Sequence, residues 1–228
     1  MSKPVVVLRP EPGQTATLVA AFQHGIKARG MPLCVVSPVP WDAPSQPYDG
    51  VLVGSANALR HAGDELEKIT HLPVLAVGEV TARLALDAGM EVEETGSGGL
   101  QSVLDGLPPI KRNLLRLAGE THLNLTPPPH VTIDTVITYR TDYRPLTKAQ
   151  SDFLAGGATI LLHSGEMAAH FADQCDANAL DRKTFDLFAM APRIAERAGG
   201  GWGSLTVADG TSDAALLAAA QALCEKQS

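Results

Sequence analysis

The sequence predicts an α/β protein of two similar parallel-sheet domains, joined by a two-stranded β ladder, with one domain discontinuous. Three observations predict it. The run Asp49–Leu59 is an apolar stretch that ends in a small-residue loop, Gly54-Ser55-Ala56-Asn57, and opens a helix; Gly157–Ala168 repeats that shape with Ser164 in the place of Ser55. Each is followed by a second apolar run that closes in small residues and opens an Ala-rich helix, Val74–Ala82 in the first half and Leu187–Ala195 in the second. Alternation of buried-type strands with helices then implies parallel sheets covered on both faces. Any two α/β units share some of these features, and it is the shared order that favours duplication.

Taken in order, Val5-Val6-Val7-Leu8 reads as a buried strand with Arg9–Gly13 as its exit loop. Thr15 is placed to cap a helix from about 16 to 29 that stops at Gly30, and 33–36 is the next strand. Pro38, Pro40, Pro44 and Pro47 exclude a helix in the following segment. Helix 58–67, strand 73–77, helix 80–88, strand 91–94, helix 99–106 and strand 113–117 follow. Thr126-Pro127-Pro128-Pro129 argues against a further helix before the alternating stretch Val131–Tyr139, a long and partly exposed strand. Strand 158–162, helix 166–173, strand 185–190, helix 192–198, strand 204–208 and helix 212–225 complete the chain. The first strand–helix unit lacks a partner of its own, so it is expected to join the last third. The expected domains are 1–36 with 144–228, and 42–133, with extended linkers at 37–41 and 134–143.

The 228 residues suffice for two compact domains, and 45% hydrophobic against 19% charged residues is a globular composition. With aromatics at 4%, the core must come from Val, Leu, Ile and Ala. A net charge of −7 argues against a general nucleic-acid partner, though local arginines and helix N-termini can still bind a small anion. The three cysteines, Cys34, Cys175 and Cys224, lie far apart with no C-x-x-C spacing, and the seven histidines lack metal-ligand spacing. No metal, no disulfide and a reducing compartment are therefore expected. The opening apolar run is too short for a signal-peptide core and nothing downstream spans a membrane, so a cytoplasmic protein is expected. No long exposed apolar stripe is evident, which favours a monomer.

Ligands of parallel α/β sheets bind outside the carboxyl ends of the strands. The loops at those ends are rich in Gly, Ala, Ser and Thr, which let backbone N–H groups approach an anion. Tight turns need the same residues, so no single loop is diagnostic. No nucleophile elbow, phosphate loop or dinucleotide fingerprint is present. Ser55 reads first as an N-cap. The carboxylates show no acid–base pairing, so catalysis here would act mainly by holding and shaping the substrate.

The loops in this order resemble the uroporphyrinogen-III synthase family. The resemblance is carried by Val7-Leu8-Arg9-Pro10, Val53–Ala58, Ala76–Ala82, Leu115–Glu120, Val136–Thr141, Leu161–Gly165, Ala191–Ala195 and Val207–Leu217. It implies a cofactor-independent enzyme that closes the linear tetrapyrrole hydroxymethylbilane to uroporphyrinogen III, losing water and inverting the last pyrrole ring. The preceding pathway enzyme could deliver that substrate. The implied fold is two α/β domains joined by a two-stranded ladder.

By resemblance Tyr139 is the catalytic residue, a hydrogen-bond donor to the departing hydroxyl; otherwise it is an amphipathic residue on a connecting strand. Ser55, Asn57, Gly78, Thr81, Gly119, Ser164 and Gly165 match substrate-binding positions. Arg9 ends the first strand and could meet a substrate carboxylate or form a salt bridge. The chain departs from relatives at Ala191-Pro192-Arg193-Ile194-Ala195, where many carry Gly-Pro-Thr-Thr-Ala; Arg193 there offers an anion contact or is merely exposed. A non-catalytic two-domain binder of a small anion and a degenerate relative kept as an interaction module are the competing readings.

Overall fold

The structure, a computed structural model, describes residues 3–226, with side chains as far as Ala222. The chain divides into two compact units. One comprises the chain up to Val35 together with the chain from Tyr143 onward, and the other is Val36–Asp142.

The first unit holds a five-stranded sheet built from β1 (Val5–Val7), β2 (Ala28–Gly30), β9 (Thr159–Leu162), β10 (Asp186–Ala189) and β11 (Ser204–Val207). Their order is β11-β10-β9-β1-β2, and every pairing is parallel. Its helices are α1 (Gly13–Gln23), α5 (Lys148–Leu154), α6 (Gly165–Ala177), α7 (Pro192–Ala198) and α8 (Asp213–Lys226). Side chains on alternate positions of each strand feed two cores, as expected of a sheet covered on both faces. Val6, Ile160 and Leu187 face a cluster with Phe171 and Phe185, while Val5, Val7, Leu161 and Phe188 pack with Leu216 and Leu217 of α8.

The second unit carries β3 (Cys34–Pro38), β4 (Gly50–Val53), β5 (Val74–Val77), β6 (Val92–Gly96), β7 (Arg112–Gly119) and β8 (Val131–Tyr143), in the order β3-β8-β7-β4-β5-β6. Its helices are α2 (Ala56–Arg60), α3 (Glu79–Asp87) and α4 (Leu100–Asp105), with a 3-10 helix at Gly63–Ile69. Read from the outer strand inward, β6-β5-β4-β7-β8 repeats β11-β10-β9-β1-β2. In the first unit, however, the strand equivalent to β7 comes from the start of the chain. Backbone bonds Arg144 N–H to Leu33 O and Val39 N–H to Thr138 O bring β3 against β8. The chain numbers run in opposite directions along this pair, which is the signature of an antiparallel ladder.

Three local expectations are corrected. Helix α1 begins at Gly13, not at a Thr15 cap, and ends at Gln23, well short of the expected stop. Gly25, at φ 71°, turns the chain there, and Ile26 N–H bonds back to Ala21 O. The freed residues Ala28–Gly30 then form β2. The expected helix 58–67 divides into α2 and the 3-10 helix, separated by Gly63 at φ 63°. Helix α5 lies outside the expected elements, although Thr147 and Gln150 form a complete capping box around its first turn. Between β7 and β8 the described chain makes its crossover without a helix.

No helix among the described residues is long and apolar enough to cross a membrane. Cys34 and Cys175 are buried free thiols, and the Cys224 side chain lies outside the described residues. Burial pushes the Cys34 thiol up to about 11 and, with Asp176 adding to burial against the opposing Arg182 charge, the Cys175 thiol up to about 12. The thiolate is the reactive form, so each should alkylate at least about 100-fold more slowly than an open thiol at neutral pH. Iodoacetamide labelling followed by peptide mass spectrometry checks this. Rapid labelling of either cysteine in folded protein would contradict the packing.

Candidate functional site

Each unit has one point where the chain winds outward in both directions from two adjacent parallel strands, which is where such sheets open to ligands. In the second unit it lies between β4 and β7, and in the first between β9 and β1.

At the β4 end, Ser55 is the N-cap of α2 and its Oγ accepts from Asn57 N–H at 3.3 Å. Asn57 Oδ1 in turn accepts from Arg60 Nη1 at 3.0 Å. Ser55 therefore serves as a cap, and among the described residues no base is bonded to it that would make it a nucleophile. Gly78 caps α3 at φ 80°, and nothing lies within 4 Å of where its Cβ would be, so the backbone angle and not space demands glycine. Thr81 is 4% exposed and lies in the first turn of α3, where its N–H bonds to Gly78 O.

Tyr139 is placed by an irregularity in β8. The parallel register pairs Ala118 with Ile137 but Gly119 with Tyr139, so one extra residue is accommodated at Thr138. Regular alternation would put Val136 and Tyr139 on opposite faces, yet both pack against the same core cluster, which is what a bulge does to the residues after it. The Tyr139 ring lies directly over Gly119. A Cβ at that glycine would fall 2.6 Å from Cζ and 2.9 Å from Oη. Gly119 thus leaves room for the tyrosine, while Glu120 N–H bonds to Tyr139 O to fix the strand. The buried Thr138 hydroxyl donates to Ala58 O at 3.0 Å, tying β8 to α2. The C-cap of α2, His61, stands with its ring centroid 6.3 Å from that of Tyr139 and tilted by 34°.

Arg116, on the neighbouring face of β7, is 6% exposed and has no carboxylate partner among the described residues. Its Nη1 donates to Leu123 O at 2.9 Å and its buried Nε lacks a partner. Burial pulls the guanidinium below its ordinary value, with Tyr139 opposing the shift. Its visible work is to hold the crossover loop after β7, which His122 also fastens through Gly119 O.

In the first unit, Arg9 follows β1 and His163 follows β9 on adjacent strands. Asp213, in the first turn of α8, gathers them. His163 Nε2 lies 2.8 Å and Thr17 Oγ1 3.0 Å from Asp213 Oδ1, and Arg9 Nη1 is 3.4 Å from Oδ2. Arg9 Nη1 also reaches Thr17 Oγ1 at 3.3 Å, and a Cβ on Gly13 would collide with the guanidinium. The Arg9 Nε and Nη2 donors have no partner among the described residues and remain available to an anion. Ser164 caps α6 by accepting from Met167 N–H at 3.3 Å, the counterpart of Ser55. Gly165 leaves room for Arg197, which pairs with Glu166. Arg193 is exposed in the first turn of α7 with no ion-pair partner among the described residues.

Thr17, His163, Asp213, Thr138 and His61 are site residues that sequence reasoning misses. The signal for His163 is its position just past a buried strand. No comparable signal marks the other four, because the contacts join segments far apart in the chain. Among the described residues no cluster of His, Cys, Asp and Glu could hold a metal ion. A cavity of about 560 Å³ lies elsewhere in the second unit, lined by Pro44, Tyr48, Lys68 and Leu72 among others, and no expected site residue lines it.

Burial holds the His163 imidazole below its usual value even though Asp213 favours the proton. For Asp213, burial acts upward, but the His163 and Thr17 bonds and the Arg9 charge outweigh it and hold the carboxyl below its ordinary range. His163 with a lowered folded pKa binds its proton more readily in the unfolded chain. Its contribution to stability is therefore complete above the unfolded value near 6.5 and is lost as pH falls from there to the folded pKa. Urea unfolding across that window should show a smaller acid loss for His163→Gln than for the parent. Equal slopes would rule out a buried neutral imidazole.

Comparison with known proteins adds the following. The family description uroporphyrinogen-III synthase HemD matches residues 23–218. No curated protein sequence gives a significant match. Among solved structures, the uroporphyrinogen-III synthetase of Helicobacter pylori 26695 is similar at 14% identity and a TM-score of 0.63, covering 97% of this chain and 99% of that one. A mutant uroporphyrinogen III synthase of the extremely thermophilic bacterium Thermus thermophilus matches at 15% identity and a TM-score of 0.60, covering 98% and 99%. At these identities the structures establish the fold, a mixed α/β architecture with parallel sheets.

Proposed function

The chain belongs to the uroporphyrinogen-III synthase family, and we propose that Tyr139 supports the departure of the substrate hydroxyl while strand-end loops hold the substrate. As a family member it is an enzyme of tetrapyrrole biosynthesis, cyclising hydroxymethylbilane to uroporphyrinogen III with loss of water and inversion of the terminal ring. The observation that carries the site reading is the Tyr139 ring seated on Gly119 at the β4–β7 opening, supported by a bulge and a buried threonine.

The phenol hydrogen-bonds to the hydroxymethyl oxygen and passes its proton to it as the C–O bond breaks, so that the oxygen leaves as water. The azafulvene-type cation that remains reacts through a spiro intermediate, and this inverts the last ring. A substrate with eight carboxylates calls for many anion donors. Arg9 and Arg193 offer open guanidinium donors, and the backbone turns at Ser55, Asn57, Gly78, Gly119, Ser164 and Gly165 supply N–H groups at strand ends. Thr81 contributes through the α3 turn and not through its hydroxyl. No cofactor or metal is required by this sequence of steps.

The two compact units are read as the family's two domains, the first discontinuous, with β3 and β8 as the linker. We also read the protein as a cytoplasmic monomer that receives its substrate from the preceding enzyme. The free, buried thiols of Cys34 and Cys175 support the cytoplasmic part of that reading.

An isomer-resolved assay tests the reading. Freshly generated hydroxymethylbilane is incubated with the protein, and the oxidised products are separated into uroporphyrins I and III. The parent should give predominantly isomer III, and Tyr139→Phe should lose about 100-fold in turnover, within the range for a general acid. Isomer I alone at the rate without enzyme would overturn the activity, and unchanged turnover in Tyr139→Phe would overturn the tyrosine's role. Gly119→Ala should push the ring aside and cost up to about 100-fold through misplacement, with about 1–3 kcal/mol lost from stability by overpacking. Kinetics paired with urea unfolding separate the two effects; a fully active, stable alanine variant would show that the seat is not needed.

A further inference from the structure

The cyclisation consumes a proton at one step and releases one at another. The hydroxymethyl C–O bond breaks and its oxygen takes a proton to leave as water. Ring closure then forms a carbon–carbon bond at a pyrrole carbon that carries hydrogen. That C–H bond must break, its electron pair restoring the aromatic ring and its proton passing to a base. The net change is loss of one water, so an acid that gives one proton and a base that takes one close the balance once that proton passes from the base back to the acid. Tyr139 accounts for the first transfer and leaves the second without an acceptor.

His61 is the titratable group that the fold brings to the tyrosine. Its ring centroid is 6.3 Å from that of Tyr139. Two tethers bracket it on the chain: Ala58 O accepts from the Thr138 hydroxyl at 3.0 Å, and Ala62 O accepts from Trp41 Nε1 at 2.7 Å. His61 N–H also closes α2 onto Asn57 O. The same threonine that fastens β8 thus fastens the helix carrying His61, so the two rings are positioned by shared contacts. Neither ring nitrogen of His61 has a hydrogen-bond partner among the described residues, which leaves both open to substrate.

We propose that His61 is the second acid–base group of this site, its imidazole accepting the proton released when the ring closes. The inference rests on the reading of Tyr139 given above. Burial, and then the neighbouring Arg60 charge, lower the His61 pKa, so the imidazole is neutral and can accept at neutral pH. Arg60 lies on its own helix, and Tyr139 faces it from β8 with the Arg116 guanidinium of β7 near that tyrosine.

The test compares His61→Gln, His61→Ala and Tyr139→Phe in the isomer-resolved assay from about pH 5 to 9, with thermal unfolding to establish that each folds. The expected result is a kcat lower by about 100-fold in both histidine variants, with KM within about twofold. The acid limb of the parent kcat profile should vanish in His61→Gln, and added imidazole should restore part of the His61→Ala rate. If His61→Ala does not fold, His61→Gln decides. Unchanged kcat and an unchanged acid limb in the histidine variants, with Tyr139→Phe impaired, would overturn this inference and leave the tyrosine reading standing. A loss confined to KM would assign His61 to binding and overturn it as well. Full activity in Tyr139→Phe would remove the tyrosine reading and this inference with it.

Discussion

A parallel strand can be reached only by crossing back over the sheet, and this constraint sets where chemistry can occur in this chain. Each crossover delivers a loop to the carboxyl end of the strands and covers a face, so both faces are buried and only strand ends remain for function. Where winding reverses, two adjacent loops part. The β4–β7 and β9–β1 ends are the two places in this sequence where that happens. Ser55 follows one strand of the first pair and Gly119 ends the other, while Ser164 and Arg9 follow the strands of the second. The strand order is repeated even though β1 is drawn from the far end of the chain, so the same opening is assembled from different connectivity.

Much of this is legible in the sequence because it depends on short-range chemistry. Val5–Val7, Val51–Val53, Ile160–Leu162 and Leu187–Ala189 are buried runs that any parallel sheet requires, and the serine caps announce the helices that follow them. The failures are local too. Gly25 and Gly30 are competing stops for α1, and positive φ at Gly25 decides the matter, releasing three residues to become β2. The Thr147–Gln150 box is a helix signal carried by four consecutive residues, and the proline just before it masks the start of α5.

The site residues are less legible for a different reason. His163 and Asp213 are 50 positions apart, and Thr17 lies 196 positions from Asp213. No spacing rule links such residues, since only strand order brings them together. Tyr139 illustrates the intermediate case. Its presence on a long strand can be read, but its side cannot, because the face on which it packs is decided by one extra residue at Thr138. A strict alternation of the kind used to read strands gives the wrong face for it.

The two openings also differ in how they treat charge. In the first unit Asp213 neutralises part of Arg9 and accepts from Thr17 and His163, so one guanidinium edge is spent on structure and the rest faces outward. Such a half-paired arginine can bind a carboxylate without the full cost of orienting a free side chain. In the second unit no carboxylate is bonded to Tyr139 among the described residues; Gly119 lies under its ring, His61 stands beside it, and the buried Arg116 guanidinium is close enough to interact with it. The shared strand order thus presents an arginine half-paired with a carboxylate at one opening and a tyrosine beside an imidazole at the other, and the loop residues decide the difference.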